Sequence, residues 1–314
     1  MSLRASRRQI LRSLAASGAL LALPPVGRRA WAIQGAERGT LRLVFYTDVH
    51  ARAEWETPTA MMMAAGAINS HKSDIVLSGG DLITDGFQRS REEAAPRWDL
   101  YMAMHNELQG EIHAVIGNHD LTGVRPRDGT PPAEDPRREY RERLGVPRTY
   151  YAFDALGYRI MLLDSMRISG DQYKYHGWVS LEQREWIKAE LARLPLDRPI
   201  VLMLHIPLIT AFFNATEGAT FQAKPNRVVV NNIEVLDLFA RHNLILVLQG
   251  HTHVKELIRW RNTTFLTGGA ICARWWRGPF FGTEEGFNVL TLRHDHIEWD
   301  YVDYGWQARR PDDQ

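Results

Sequence analysis

"LILVLQGHTHVKEL", residues 244–257, places two histidines directly after an apolar run. The run over residues 244–248 predicts a buried strand, and Gly250, His251 and His253 follow it. A desolvated imidazole needs a hydrogen-bond partner or a ligand, so core packing gives no reason for two histidines at this point. We therefore infer that both imidazoles bind something at the end of the strand.

Four further apolar runs predict buried strands that also end in polar residues. They cover residues 41–48, 74–81, 112–120 and 198–207, and their ends carry Asp48 and His50, Asp81, Asn118-His119-Asp120, and His205. Helical stretches over 57–71, 92–108, 180–193 and 232–242 alternate with the strands, and segments 149–165 and 287–302 predict hairpins. This order predicts an α/β fold, in which ligands bind at the carboxyl ends of the strands.

Seven of these side chains form a candidate set of metal ligands. A single histidine after a strand is commonly structural, but seven polar ligands at five strand ends favour an open catalytic centre. Carboxylate, imidazole and amide oxygen together suit manganese, iron or zinc better than calcium or magnesium. The set lacks cysteine, which argues against a closed structural zinc site. The candidates are Asp48, His50, Asp81, Asn118, His205, His251 and His253.

The ordered motifs resemble those of the calcineurin-like metallophosphoesterases. They are Asp48-x-His50, Gly80-Asp81, Gly117-Asn118-His119-Asp120, His205 and Gly250-His251-x-His253, and the resemblance extends over residues 41–302. It implies two packed mixed β-sheets flanked by helices, with two divalent metal ions at the carboxyl ends of the strands. It further implies that Asp48, His50 and His253 hold the first ion, that Asn118, His205 and His251 hold the second, and that Asp81 bridges both.

Two ions roughly 3.5 to 4 Å apart clamp phosphoryl oxygens and lower the pKa of a shared water, so a bridging hydroxide attacks a small phosphate-ester substrate. By resemblance, His119 lies beside the leaving-group oxygen and donates a proton or stabilises charge. Many relatives hold this histidine with a carboxylate three residues after the bridging aspartate, where this chain has Thr84. The partner of His119 is therefore open among Asp85, Asp120 and Thr84. Asp85 alternatively caps the turn that it forms with Gly86.

Aromatic residues in the long loops are candidates for substrate contact. The loops cover 167–178, 209–227 and 272–282, and loops of this length within a domain are often functional. Trp275 and Trp276 would stack on a base or a sugar near the metals, and His176 is a further candidate. The alternative is that the tryptophans close the core and that His176 is structural or exposed.

Residues 1–32 predict a cleaved export signal. Basic residues precede an apolar stretch over residues 13–26, and Ala30-Trp31-Ala32 offers a cleavage site. The pair Arg7-Arg8 resembles the twin-arginine type, so the twin-arginine export machinery is a predicted partner and the location is periplasmic or secreted. The alternative is a membrane anchor, but the stretch is shorter than the roughly 20 apolar residues of a span. Residues 33–314 then form a single metallophosphoesterase domain without a stable membrane span.

The charge of the mature chain does not favour nucleic acid as a partner. The signal contains six of the 38 basic residues and no acidic one, so cleavage leaves 32 basic against 37 acidic residues. This slight negative excess gives no electrostatic attraction for a polyanion. Cys272 is the only cysteine, which excludes an internal disulfide.

The predicted activity is metal-dependent hydrolysis of phosphate esters. A phosphodiester is slightly preferred, because similar single-domain bacterial chains include cyclic nucleotide phosphodiesterases. The alternatives are a phosphomonoesterase or nucleotidase that uses the same site, and a non-catalytic binding protein that retains the fold. The complete ligand set together with His119 speaks against the binding protein.

Overall fold

The computed structural model describes residues 39–293 and 296–309, so the predicted export signal lies outside the described residues. Its first sheet has five strands in the order β13-β12-β1-β2-β3. They are β1 (Leu41–Tyr46), β2 (Ile75–Ser78), β3 (Glu111–Ala114), β12 (Gly286–Arg293) and β13 (His296–Asp303). β1, β2 and β3 are parallel, whereas β12 and β13 are antiparallel to their neighbours.

The second sheet has six strands in the order β10-β11-β9-β8-β5-β4. They are β4 (Tyr151–Ala155), β5 (Tyr158–Leu162), β8 (Ile200–Met203), β9 (Leu244–Gln249), β10 (Glu256–Trp260) and β11 (Thr263–Thr267). β5, β8, β9 and β11 are parallel, and β4 and β10 are antiparallel edge strands. Leu156 and Gly157 both have positive φ, as the tight hairpin turn between β4 and β5 requires.

The helices match the expected positions and include two short additions. They are α1 (Thr57–Ser70), α2 (Arg91–Glu107), α3 (Arg138–Leu144), α4 (Leu181–Leu191), α5 (Phe212–Glu217) and α6 (Asn232–Leu238). Ser180 accepts a hydrogen bond from the N–H of Gln183 at 3.2 Å and caps α4. In the described part of the chain, no helix has the length and the apolar character that a membrane span requires.

The two sheets pack face to face around an apolar core. Leu43 and Phe45 of β1 belong to the same buried cluster as Ile160 of β5, Met203 of β8 and Leu248 of β9. Helices cover the outer faces, where Met61 of α1 and Trp98 of α2 are buried against the first sheet. The predicted fold class of two packed mixed sheets flanked by helices is confirmed.

The segment 167–178 differs from the expected long loop. It contains most of a two-stranded hairpin of β6 (Met166–Ile168) and β7 (Tyr175–Gly177). Strands of three residues are too short to show an alternating pattern, so they could not be recognised from the sequence. The hairpin is fixed by the N–H of Gly177, which donates to the carbonyl oxygen of Pro225 at 2.7 Å.

Candidate metal centre

The turns that follow five strands converge at one end of the two sheets. The N–H of Asp48 donates to the carbonyl oxygen of Gly80 at 2.9 Å, and the N–H of His50 donates to that of Asp81 at 2.9 Å. In the second sheet, the N–H of Gly250 donates to the carbonyl oxygen of His205 at 2.9 Å. These backbone hydrogen bonds hold neighbouring turns at fixed distances independently of the side chains.

Most candidate ligands have an unusual backbone conformation. Positive φ is uncommon outside glycine, costs of order 1–3 kcal/mol for each residue, and clusters at functional sites. At the end of a strand it turns the next side chain towards the edge of the sheet, where ligands bind. The residues with this conformation are Asp48, His50, Asp81, His251 and His253, with φ between 46° and 74°.

Asp48, His50 and His253 form a first cluster of ligand atoms. The Nε2 atoms of His50 and His253 are 3.1 Å apart, and Oδ1 of Asp48 lies 3.2 Å from Nε2 of His253 and 3.7 Å from Nε2 of His50. Ligands that bind zinc tetrahedrally at about 2.0–2.1 Å are themselves about 3.3–3.4 Å apart. The spacing of the three atoms therefore fits a shared divalent metal ion.

Asp81 lies between this cluster and a second one. Its Oδ2 atom is 3.6 Å from Nε2 of His50 and 3.1 Å from Nε2 of His205. Nε2 of His205 is also 3.2 Å from Oδ1 of Asn118, and a ring nitrogen of His251 lies within 4.8 Å of the ligand atoms of Asp81 and His205. The other oxygen of Asp81 accepts the N–H of His119 at 2.8 Å. One oxygen alone is therefore placed to bridge two ions.

Backbone carbonyl groups orient three of the four imidazoles. His205 donates from Nδ1 to Gly79 at 2.8 Å, His253 donates from Nδ1 to Ala273 at 2.6 Å, and His251 donates from Nε2 to Asn226 at 3.0 Å. A ring nitrogen that donates to a carbonyl leaves the lone pair on the other nitrogen. The free lone pairs of His205 and His253 are therefore the Nε2 atoms that lie near the carboxylates.

The charges of the centre also fit bound cations. Burial alone would raise the pKa of Asp48 and lower that of His205. Instead, the charges of His253 and His205 hold the pKa of Asp48 well below its usual range, and those of Asp81 and Asp48 raise the pKa of His205 to about 9. Oδ1 of Asp48 and Nδ1 of His50 are buried and have no hydrogen-bond partner among the described residues. Metal ligands bind in their deprotonated forms, so a bound ion would replace the protons that the carboxylates hold on these imidazoles. These residues therefore fit two divalent metal ions.

His119 lies beside both clusters and is oriented by backbone. Its ring is 4.8 Å from that of His50, and its Nδ1 accepts the N–H of Asp85 at 3.2 Å. In the neutral ring, the proton must then be on Nε2. The carboxylate of Asp85 accepts the N–H of Gln88 at 3.3 Å, and the hydroxyl of Thr84 donates to the carbonyl oxygen of His50 at 2.6 Å. Asp85 thus contacts His119 through its main chain, while its side chain caps the turn.

The carboxyl group of Asp120 joins two of the turns. Its Oδ1 accepts the N–H groups of Leu82 at 2.7 Å and Ile83 at 3.3 Å, and its Oδ2 accepts the N–H of Gly117 at 2.7 Å. Burial and the charge of Asp81 raise its pKa to about 8, against the lowering by these N–H donors. Asp120 therefore connects the turn of Asp81 to the turn of His119 through main-chain donors.

Trp275 and Trp276 are neighbours in sequence, but the first is exposed at the centre and the second is buried beneath it. The ring of Trp275 is 4.0 Å from that of His50 and 5.0 Å from that of His119, and it is 36% exposed. Trp276 is 1% exposed, and its Nε1 donates to the carbonyl oxygen of His50 at 3.1 Å. The expectation of substrate contact at Trp276 is therefore corrected, because its ring is buried beneath the centre.

His176 is held within the β6–β7 hairpin. Its Nε2 lies 2.7 Å from Oδ2 of Asp171, and its Nδ1 lies 3.2 Å from the guanidinium of Arg167. A cavity of about 340 Å³ opens beside His251 and His253, and Trp275 lines it whereas His176 does not. The structure therefore places Trp275 at the centre and gives His176 partners in its own hairpin.

Several groups at the site gave no signal in the sequence. The carbonyl groups of Gly79, Asn226 and Ala273 orient ligands, but every residue carries a carbonyl, so residue type does not mark them. Gly117 could have been recognised from its place in the motif. A Cβ atom there would lie 2.2 Å from both the backbone nitrogen and Oδ1 of Asp81, so only glycine allows this close approach.

Comparison with known proteins gives a family match. A family model described as calcineurin-like phosphoesterase matches residues 41–255, a range that includes every candidate ligand. No curated protein matches the chain.

Solved structures share the fold at low sequence identity. A dimetal phosphatase from Danio rerio is 15% identical with a TM-score of 0.58, covering 84% of this chain and 99% of that chain. GAP50 of Plasmodium, described as the anchor in the inner membrane complex, is 13% identical with a TM-score of 0.55, covering 84% and 85%. A putative 5'-nucleotidase from Staphylococcus aureus is 13% identical with a TM-score of 0.51, covering 84% and 53%. At identities this low, the TM-scores establish a common fold and nothing about activity.

Proposed function

The chain belongs to the calcineurin-like phosphoesterase family, whose members are metal-dependent phosphoric ester hydrolases, and on this premise we propose that it hydrolyses phosphodiesters. The observation that carries the proposal is the convergence of seven ligand side chains from five strand ends beside the unliganded ring of His119. Trp275 contacts His119, and a cavity of about 340 Å³ opens at His251 and His253. Room for an organic group beyond the leaving group supports a diester over a monoester.

Asp48, His50 and His253 would hold one metal ion, Asn118, His205 and His251 the other, and Oδ2 of Asp81 would bridge them. We propose manganese, iron or zinc, because imidazole and carboxylate ligands suit these ions. When bound, the ions supply positive charge for the phosphoryl oxygens and activate a water molecule near neutral pH.

His119 would assist departure of the leaving group. Because its Nδ1 accepts the N–H of Asp85, its Nε2 carries the ring proton and can donate a hydrogen bond that stabilises the charge on the leaving-group oxygen. Burial lowers the pKa of His119 most, and the charges of Asp81 and Asp85 raise it. The main-chain N–H of Asp85 thus favours the neutral ring, whereas the charges of the Asp81 and Asp85 carboxylates favour the protonated ring. The contact that orients the ring is the main-chain N–H.

The activity test compares a diester with a monoester that release the same product. Release of nitrophenol from bis-nitrophenyl phosphate and from nitrophenyl phosphate is measured with added manganese, iron or zinc and after chelation. We expect metal-dependent cleavage of both substrates with a preference for the diester. Cleavage of the monoester alone would refute the diester preference, and no cleavage with any metal would favour a non-catalytic binding protein.

Asp81→Ala tests the metal assignment independently of turnover. Because both ions lose the shared oxygen, we expect metal content by elemental analysis to fall and activity to disappear. The matched control is Asp99→Asn, since Asp99 is 66% exposed and pairs with Arg143 on the surface. Unchanged metal content in Asp81→Ala would contradict the bridging role.

We further propose that the protein is exported by the twin-arginine machinery and that cleavage after Ala32 leaves residues 33–314 as one domain. The paired Arg7-Arg8 and the Ala30-Trp31-Ala32 site support this proposal. Mass spectrometry of the periplasmic protein should find an amino terminus at Ile33. Substitution of Arg7 and Arg8 by lysine should retain the protein inside the cell, and undisturbed export of that variant would contradict the proposal.

A further inference from the structure

Two segments of the chain form an aromatic wall beside the metal centre. The cavity of about 340 Å³ ends at His251 and His253 and is lined by five phenylalanines. Segment 209–227, which contains α5, contributes three of them, and the loop after Trp276 contributes the other two. They are Phe212, Phe213, Phe221, Phe280 and Phe281.

The rings of the wall pack on one another. Ring centroids of Phe212 and Phe281 are 5.2 Å apart at 85°, and those of Phe280 and Phe281 are 4.7 Å apart at 83°. The N–H of Ala211 donates to the carboxylate of Glu256 at 2.7 Å and fixes the start of α5. Nevertheless, Phe281 is 66% exposed. Such exposure of a large apolar ring at a concave surface is typical of a binding site.

Two cations line the same cavity without carboxylate partners. Neither Lys224 nor Arg227 forms an ion pair within residues 39–293 and 296–309, whereas Arg137 and Arg143 both do. Among the described residues, Glu217 is the one carboxylate that lines the cavity, and Arg274 is a third cation in the lining. The lining therefore has an excess of positive charge.

Arg227 belongs to the segment that adjoins the metal centre. Arg227 lines the cavity together with His251 and His253. Asn226, the preceding residue, accepts the hydrogen bond from Nε2 of His251. The segment that carries the cations is thus attached to a candidate metal ligand.

Because the aromatic wall and the unpaired cations share one cavity that ends at the metal centre, we propose that this cavity binds the organic group of the substrate. That group contains a planar aromatic ring and a second anionic group. A planar ring stacks on the phenylalanines, and Lys224 and Arg227 bind the second anion. The inference rests on the proposed function and specifies its substrate class.

Three diesters with the same nitrophenol leaving group separate these contributions. The first is methyl nitrophenyl phosphate, the second is the nitrophenyl ester of thymidine 5'-phosphate, and the third carries an additional 3'-phosphate. Stacking of one base is worth about 1–3 kcal/mol, so we expect kcat/KM to rise by roughly tenfold from the first to the second. The 3'-phosphate should raise it by a further factor of about ten.

Substitutions in the cavity should change these ratios selectively. Phe281→Ala should lower the ratio of the thymidine to the methyl ester about tenfold. Arg227→Gln and Lys224→Gln should lower the ratio of the third to the second ester. Trp260→Ala and Arg259→Gln are matched controls outside this cavity and should leave both ratios unchanged. An unchanged ratio in Phe281→Ala would overturn the aromatic assignment. Equal losses on all three esters in Arg227→Gln and Lys224→Gln would overturn the second anion site.

Binding to the chelated protein separates this inference from the proposed function. Thymidine 3',5'-bisphosphate is titrated into metal-free protein by calorimetry. Weaker binding in Phe281→Ala and Arg227→Gln, but not in Trp260→Ala, supports the cavity assignment even if no diester is cleaved. Absence of binding, or equal binding in all variants, overturns it even if the enzyme is active.

Discussion

Asp120→Asn tests how the two turns of the centre are held together. The carboxyl group of Asp120 is fully buried and accepts three backbone N–H groups. Asparagine has the same shape, but one of its two terminal atoms is an amide nitrogen that donates. If the amide oxygen keeps the N–H groups of Leu82 and Ile83, the nitrogen faces the N–H of Gly117. A donor then faces a donor in a buried position.

The loss follows from that single contact. Either protonation state of Asp120 can accept the N–H of Gly117, whereas an amide nitrogen cannot, so the pKa of about 8 does not change the conclusion. A buried N–H without a partner costs about 1–3 kcal/mol, which is the expected destabilisation by Asp120→Asn. Asp120→Ala leaves all three N–H groups unpaired and should cost at least about 3 kcal/mol. A change of 1 kcal/mol shifts Tm by roughly 2–4 °C in a domain of about this size.

Thermal unfolding of chelated protein, followed by circular dichroism, measures the effect without metal. Asp99→Asn on the surface should change stability by less than about 0.5 kcal/mol. We expect Asp120→Asn to lose stability and activity together, because the turns of Asp81 and His119 separate. Wild-type stability in Asp120→Asn would refute the hydrogen-bond reasoning. Wild-type stability with complete loss of activity would instead favour direct participation of Asp120 in the reaction.

Three further substitutions give distinct outcomes. Gly117→Ala should release metal and destabilise the protein in thermal unfolding, because its Cβ would lie 2.2 Å from Asp81. The control is Gly66→Ala in α1, where a Cβ would have no atom within 4 Å, and it should stabilise the protein by about 0.5–1 kcal/mol. Equal effects of the two substitutions would contradict the steric argument. His119→Ala should keep both metals by elemental analysis and lose most rate with poor leaving groups. Equal losses on good and poor leaving groups would exclude a hydrogen bond from His119 to the leaving group. Glu285 is 3% exposed, and burial raises its pKa from 4.5 to about 6. The protonated form is therefore favoured in the folded state, and about 2 kcal/mol of stability is lost as pH rises from 4.5 through 6. Glu285→Gln should be more stable than the wild type at pH 8 and equally stable near pH 4 in urea unfolding; a difference independent of pH would contradict this assignment.

The sequence predicted the sheets well because their strands are buried on both faces. β1, β8 and β9 are short apolar runs, which is the pattern of a parallel strand covered on both sides. The predicted strand over 74–81 is shorter in the structure, at Ile75–Ser78. Gly79 and Gly80 leave the sheet there because the turn must bring Asp81 to the centre.

The candidate ligands could be proposed from sequence because their chemistry is carried by side chains at strand ends. The groups that orient them could not, because they belong to the main chain. The partner of His119 shows the difference. The choice among the side chains of Thr84, Asp85 and Asp120 had no basis in residue type, and the ring nitrogen accepts a backbone N–H instead.

Trp275 and Trp276 show why the substrate side of the site could not be predicted from the sequence. Both are tryptophans in one aromatic loop, so composition and spacing assign them the same role. Positive φ at Ala273, Trp275 and Trp276 turns the chain sharply, so that one indole lies over His50 and the other beneath its carbonyl group. Three conformations of this kind within four residues, none of them in glycine, are each unfavourable, and no local preference would predict them. The tight turn persists because Trp276 is buried and bonded to the same residue that Trp275 covers, which ties the open face of the metal centre to its packed interior.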